Sequence, residues 1–162
     1  MLAAIRLLAL IGLVTCLAGQ FEVLAQSPAD SLQHSNFLGA WTGIITQDLG
    51  PTTRYFDMVM QVGAVANSDS TYRISSHVMD GDYHAYMTGH AFRTSDGKLF
   101  VAETEIIRAD SIPGMEWCVK RLQLNKSMED GTLHLRGSWA GDTSFGACEP
   151  GAMDLVRQVV RP

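Results

Sequence analysis

Turn-forming dipeptides punctuate this chain at short intervals, and no other feature limits its possible folds as much. Asp80-Gly81, Asp96-Gly97 and Asp130-Gly131 are Asp-Gly steps, while Gly50-Pro51, Pro113-Gly114 and Pro150-Gly151 mark further reversals. Asp and Gly tolerate the positive φ that two-residue hairpin loops demand. Between the turns, apolar and polar residues alternate with period two, the pattern of a half-buried strand. Segment 54–65 is the clearest: Phe56, Met58, Met60 and Val62 fall on one face, Tyr55, Asp57, Val59 and Gln61 on the other. Beyond Asn36 no long stretch carries a 3.6-residue apolar period. The alternation predicts an all-β domain of eight strands, over 40–47, 54–65, 72–79, 83–92, 98–108, 117–125, 132–139 and 152–160.

Hairpin following hairpin makes an antiparallel meander, and a meander must dispose of two edge strands. Rolling it into an up-and-down β-barrel removes both. A Greek-key sandwich is the competitor, but it needs a long returning connection. The only long irregular links are 109–116 and 140–151, so the barrel is expected.

Residues 1–25 have a different character. Arg6 precedes an apolar run from Leu7 to Ala18, and Val23-Leu24-Ala25 supplies a small-residue junction, so the segment is expected to be a cleaved signal peptide. The run is too short to span a bilayer as a helix. Cys16 in Leu13-Val14-Thr15-Cys16 offers a lipoprotein alternative, although Thr15 is bulky for that position. Ser27-Pro28-Ala29-Asp30 carries cap, first-turn proline and acid, which predicts a short helical lead-in over 26–35. Residues 36–162 then form the barrel domain. Cleavage removes Cys16 and leaves an even pair, Cys118 and Cys148, expected to form a disulfide in a periplasmic or extracellular protein. Two free thiols are the alternative; a zinc site would lack half its ligands.

The first strand is introduced by Phe37-Leu38-Gly39-Ala40-Trp41-Thr42-Gly43. This Gly-x-Trp after a short helical turn resembles the signature of lipocalins and the wider calycin barrels. The resemblance implies that Trp41 closes the barrel base beneath a basic residue of the last strand, a part Arg157 is placed to play. The mid-chain Thr-Asp-Tyr element and the long helix of true lipocalins are not visible. Avidins are similar in size and strand number, but their ligand-holding aromatics do not map here. Trp117-Cys118-Val119-Lys120, then Trp139, then Cys148-Glu149-Pro150-Gly151 resembles small exported bacterial barrel domains with no settled activity. A second Gly-x-Trp-x-Gly, Gly137 to Gly141, implies either barrel ends built alike or two strands with one packing need.

Candidate chemistry follows from register. If Asp80-Gly81 and Asp96-Gly97 are two-residue turns, His77 pairs with His84 and His90 with Glu103. Arg73, His77, His84, Tyr86, His90, Glu103 and Glu105 then share one face; Tyr72, Ile74, Val78, Tyr83, Met87, Ala91, Phe100 and Ile106 share the other. The apolar face is expected inside and the polar face in solvent. In the alternative, the polar face lines a wide barrel, His90 with Glu103 is a titratable pair and His77 with His84 a two-nitrogen site. Too few ligands lie nearby for zinc or copper, so no metal is assigned, and no cofactor. Nucleophile elbows and phosphate-binding glycine loops are absent, and a formal net charge of -5 argues against nucleic-acid binding.

The expected protein is therefore not an enzyme and does not span a membrane after cleavage. It binds a small apolar or amphipathic molecule, with Trp41, Phe56, Met58, Met60, Ile74 and Met87 in the wall and Gly39, Trp41, Trp139 and Arg157 as structural residues. The alternative is a solid barrel that contacts a protein or glycan through its rim or through the disulfide-tied link 140–151 with Phe145.

Overall fold

Alternation over segments this short can be satisfied only by strands that pair, and pairing sets the architecture. The computed structural model describes residues 37–159; the expected signal peptide, the expected helical lead-in and Cys16 lie outside the described residues. The strands are β1 Gly39–Asp48, β2 Thr53–Ala64, β3 Thr71–Asp80, β4 Tyr83–Arg93, β5 Leu99–Ala109, β6 Val119–Glu129, β7 Thr132–Thr143, the two-residue β8 Gly146–Ala147 and β9 Gly151–Arg157. Strands β1 to β7 pair antiparallel in sequence order except between the closing pair: β7 pairs with β9, and β9 with β1. Eight long strands thus close an antiparallel barrel with no free edge, while β8 is a small flap on β7.

The three Asp-Gly steps are used in three ways. Glu129 faces Thr132, leaving Asp130 (φ 48°) and Gly131 (φ 77°) as a two-residue loop with both residues at positive φ, as expected. Asp80 instead pairs with Tyr83, so the β3–β4 loop is Gly81-Asp82. His77 consequently faces Tyr86, and His84 faces Met79, in place of the expected His77–His84 register. The third step lies in a longer loop, 94–98, closed by the Thr94 N–H on the Lys98 carbonyl at 2.9 Å.

That longer loop shifts β5 by one residue, which turns side chains to the opposite face. Leu99, Val101 and Glu103 point inward, and Phe100 packs outside against Phe92. His90 faces Ala102, and Glu103 faces Gly89, so the expected His90–Glu103 pair does not form. One extra residue in β5, Thr104, then restores the original phase, so Glu105 points out and Ile106 packs against the core. Gly89 permits this geometry: a Cβ there would lie 2.1 Å from the Ala102 carbonyl oxygen and 2.7 Å from Glu103 Cα.

One end of the barrel is closed. Trp41 is fully buried, and its indole N–H donates to the Phe37 carbonyl at 2.8 Å. That bond folds the entering chain across the base, where the Phe37 ring meets Tyr72 edge-on and Lys126 Nζ lies 5.1 Å from its centroid. Arg157 covers Trp41 from β9, with Cζ 6.0 Å from the ring. Gly39, at φ 114°, has the Arg157 guanidinium beside it. Above this base Met58, Met60, Ile74, Met87, Leu122, Leu124, Leu135 and Leu155 fill the interior.

Gly89→Ala forces backbone apart where β4 and β5 approach most closely, and is expected to cost about 2–3 kcal/mol. Urea unfolding should show a lowered midpoint with an unchanged slope.

Candidate ligand-binding site

The other end is not filled. Residues of the strands toward the mouth are Ile45, Gln47, Phe56, Val78, Lys120 and Trp139. A cavity of about 370 Å³ results, open on one side, with Met115, Glu116 and Trp117 of the β5–β6 link and the Cys118–Cys148 disulfide along its margin. This volume lies within the range of small-molecule pockets, and its surface is mainly apolar. A more open, more polar depression outside the wall is lined by Asp110, Ser111, Arg121, Asp142 and Ser144 among others. The more apolar mouth is the better candidate.

The disulfide, Cα to Cα 6.4 Å, ties the link before β6 to the link before β9. Trp117 donates its indole N–H to the Asp110 carbonyl at 2.9 Å, and Trp139 donates to the Thr46 carbonyl at 2.6 Å. Both large rings are therefore fixed as walls with their polar edges satisfied. At the rim, Arg54 pairs with Asp80, and its guanidinium lies 5.3 Å from the Phe56 ring centroid. Glu116 accepts bonds from the Ser144 backbone N–H and hydroxyl at 2.8–2.9 Å.

A buried ion pair reaches the cavity through Lys120. Lys120 Nζ lies 2.9 Å from Glu103 Oε2, and their side chains are 5% and 0% exposed. Ser76 Oγ donates to Glu103 Oε1 at 2.6 Å, and the Lys120 backbone N–H donates to Oε2 at 2.9 Å. Lys120 Nζ also donates to the Cys118 carbonyl at 3.0 Å. Charges taken out of water require this degree of compensation.

Of the six wall residues expected from sequence, Phe56 lines the cavity; Trp41, Met58, Met60, Ile74 and Met87 lie in the packed interior beneath it. Trp139, expected to be structural, lines it too. Lys120, Trp117 and Met115 were missed. Lys120 had a signal: it shares strand parity with Leu122 and Leu124, which places a lysine on an apolar face.

On the outer wall His77 stacks on Tyr86 at 4.1 Å between centroids, and its Nε2 lies 3.0 Å from His84 Nδ1, one nitrogen donating and the other accepting. Among the described residues no three His, Cys, Asp or Glu are grouped to hold a metal, and no helix is long and apolar enough to cross a membrane. Fold and site together define a closed antiparallel barrel, packed at its base and hollow at its mouth. Comparison of the sequence with protein-family models and with curated proteins found no match.

Lys120→Met alone leaves Glu103 buried without its cation and is expected to cost about 3–5 kcal/mol. Adding Glu103→Leu should recover most of that loss, which a double-mutant cycle by urea unfolding will measure. Burial, then the neighbouring His84, holds the His77 imidazole below its ordinary value. The unfolded chain therefore takes up this proton first, so stability falls as pH drops below about 6.5 and stops falling below the native pKa. His77→Gln should flatten the dependence of the unfolding midpoint on pH across that window.

Proposed function

We propose that this chain is an exported, lipocalin-like binding protein that holds a small apolar or amphipathic molecule in the mouth of its barrel and performs no chemistry on it. The observation that carries this is the 370 Å³ cavity whose walls are Phe56, Ile45, Val78, Trp117 and Trp139. Apolar surface kept open at one end, while the rest of the interior is filled, forgoes packing that a purely structural barrel would use. The Cys118–Cys148 bond accords with an oxidising compartment outside the cytosol. Closed antiparallel architecture and the Trp41–Arg157 arrangement accord with the lipocalin resemblance, although fold alone does not determine function. Arg54, Lys120 and Glu116, the charged groups of the mouth, are each held in ion pairs or hydrogen bonds, which favours binding over turnover.

One observation favours a second reading. Phe145, at the tip of the β7–β8 hairpin, is 88% exposed, as a contact residue for a protein or glycan would be.

Titration with an apolar fluorescent dye separates the two. Saturable binding to the native protein is expected, and Val78→Trp, which fills the cavity, should weaken it about tenfold or more. If the native protein takes up no dye, or the filled variant binds as well, the cavity reading fails and the Phe145 surface becomes the better one.

A further inference from the structure

The cavity has an uneven distribution of hydrogen-bonding capacity, and this bears on what enters it. An ammonium has three N–H donors and no acceptor. On Lys120 two are taken by Glu103 Oε2 at 2.9 Å and the Cys118 carbonyl at 3.0 Å; the remaining neighbour is the Met87 thioether at 4.0 Å, a weak acceptor. Lys120 is 4% exposed and forms part of the cavity surface. Both wall indoles donate to backbone carbonyls, and Arg54 is held by Asp80 and Met115. Gln47 and Thr143 lie higher, at strand ends by the opening. The buried donor with the weakest acceptor is thus the Lys120 ammonium.

Charge decides which acceptor fits. Lys120 and Glu103 sum to zero, so a carboxylate or phosphate brought onto Nζ would lose its hydration and meet the Glu103 carboxylate at short range. A carbonyl oxygen supplies lone pairs without a net charge. Resting on the binding function proposed above, we infer that the ligand is a neutral amphiphile bearing a carbonyl group, such as a ketone, ester or amide. The carbonyl enters first and accepts from Lys120 Nζ, and the apolar body lies between Trp117, Trp139 and Phe56 towards the opening.

Three probes of matched size test this on the intact protein: butylbenzene, benzylacetone and phenylbutyrate, each titrated by displacement of the bound dye and by calorimetry. Benzylacetone should bind about tenfold or more tightly than butylbenzene, the advantage of a hydrogen bond to a charged donor. Phenylbutyrate should bind more weakly than the ketone. In Glu103→Leu/Lys120→Met the ketone's advantage should vanish while butylbenzene still binds. Equal affinity of ketone and hydrocarbon, tightest binding of the carboxylate, or an advantage that survives in the double variant overturns the headgroup assignment and leaves the cavity reading intact. Failure of all three probes to displace a dye that does bind likewise overturns the headgroup assignment alone, whereas a native protein that takes up no dye overturns the binding function and the assignment with it.

Discussion

A carboxylate and an ammonium are held together out of water inside this barrel, and the form of the interior depends on how they are held. Moving such a pair out of water costs several kcal/mol per ion unless each lone pair and proton finds a partner. Glu103 meets that demand with Ser76 from β3 and with both the ammonium and the backbone N–H of Lys120 on β6. Lys120 also uses the carbonyl of Cys118, a residue anchored by its disulfide to Cys148. Three strands and the cross-link therefore converge on one pair, whose lysine borders the cavity.

The same short motif serves both ends with different results. Trp41 and Trp139 each donate an indole N–H to a backbone carbonyl, Phe37 and Thr46 respectively. Around Trp41 the neighbours are large, Phe37 and Tyr72 inside and Arg157 above, so the base is closed. Beside Trp139, Gly141 and Gly151 bring backbone close: a Cβ at Gly151 would lie 1.8 Å from the Thr46 carbonyl oxygen.

Outside the barrel, the His77, His84 and Tyr86 cluster is a surface stack with no access to the cavity, and its chemistry is separate from that of the mouth. Its effect falls on stability below neutral pH, through an imidazole that resists protonation in the folded chain.

The strands, their order and the closure were legible in the sequence because period-two alternation and turn dipeptides are local properties, readable without knowing what lies across the sheet. The Cys118–Cys148 pairing was legible by count, and the Trp41–Arg157 contact through the family resemblance. Register was not. Each loop used its Asp-Gly step differently, and a one-residue difference at 94–98 was enough to turn Glu103 inward and Phe100 outward, until the bulge at Thr104 reversed it. The cavity was further beyond reach, since its walls come from β1, β2, β3, β6 and β7 together with the 115–118 link and Cys148. By itself, then, the sequence determined a closed antiparallel barrel with a cross-link and an aromatic base. Only the tertiary structure decided which acid pairs with which base and where space is left, because both depend on side-chain volumes summed across strands distant in the chain.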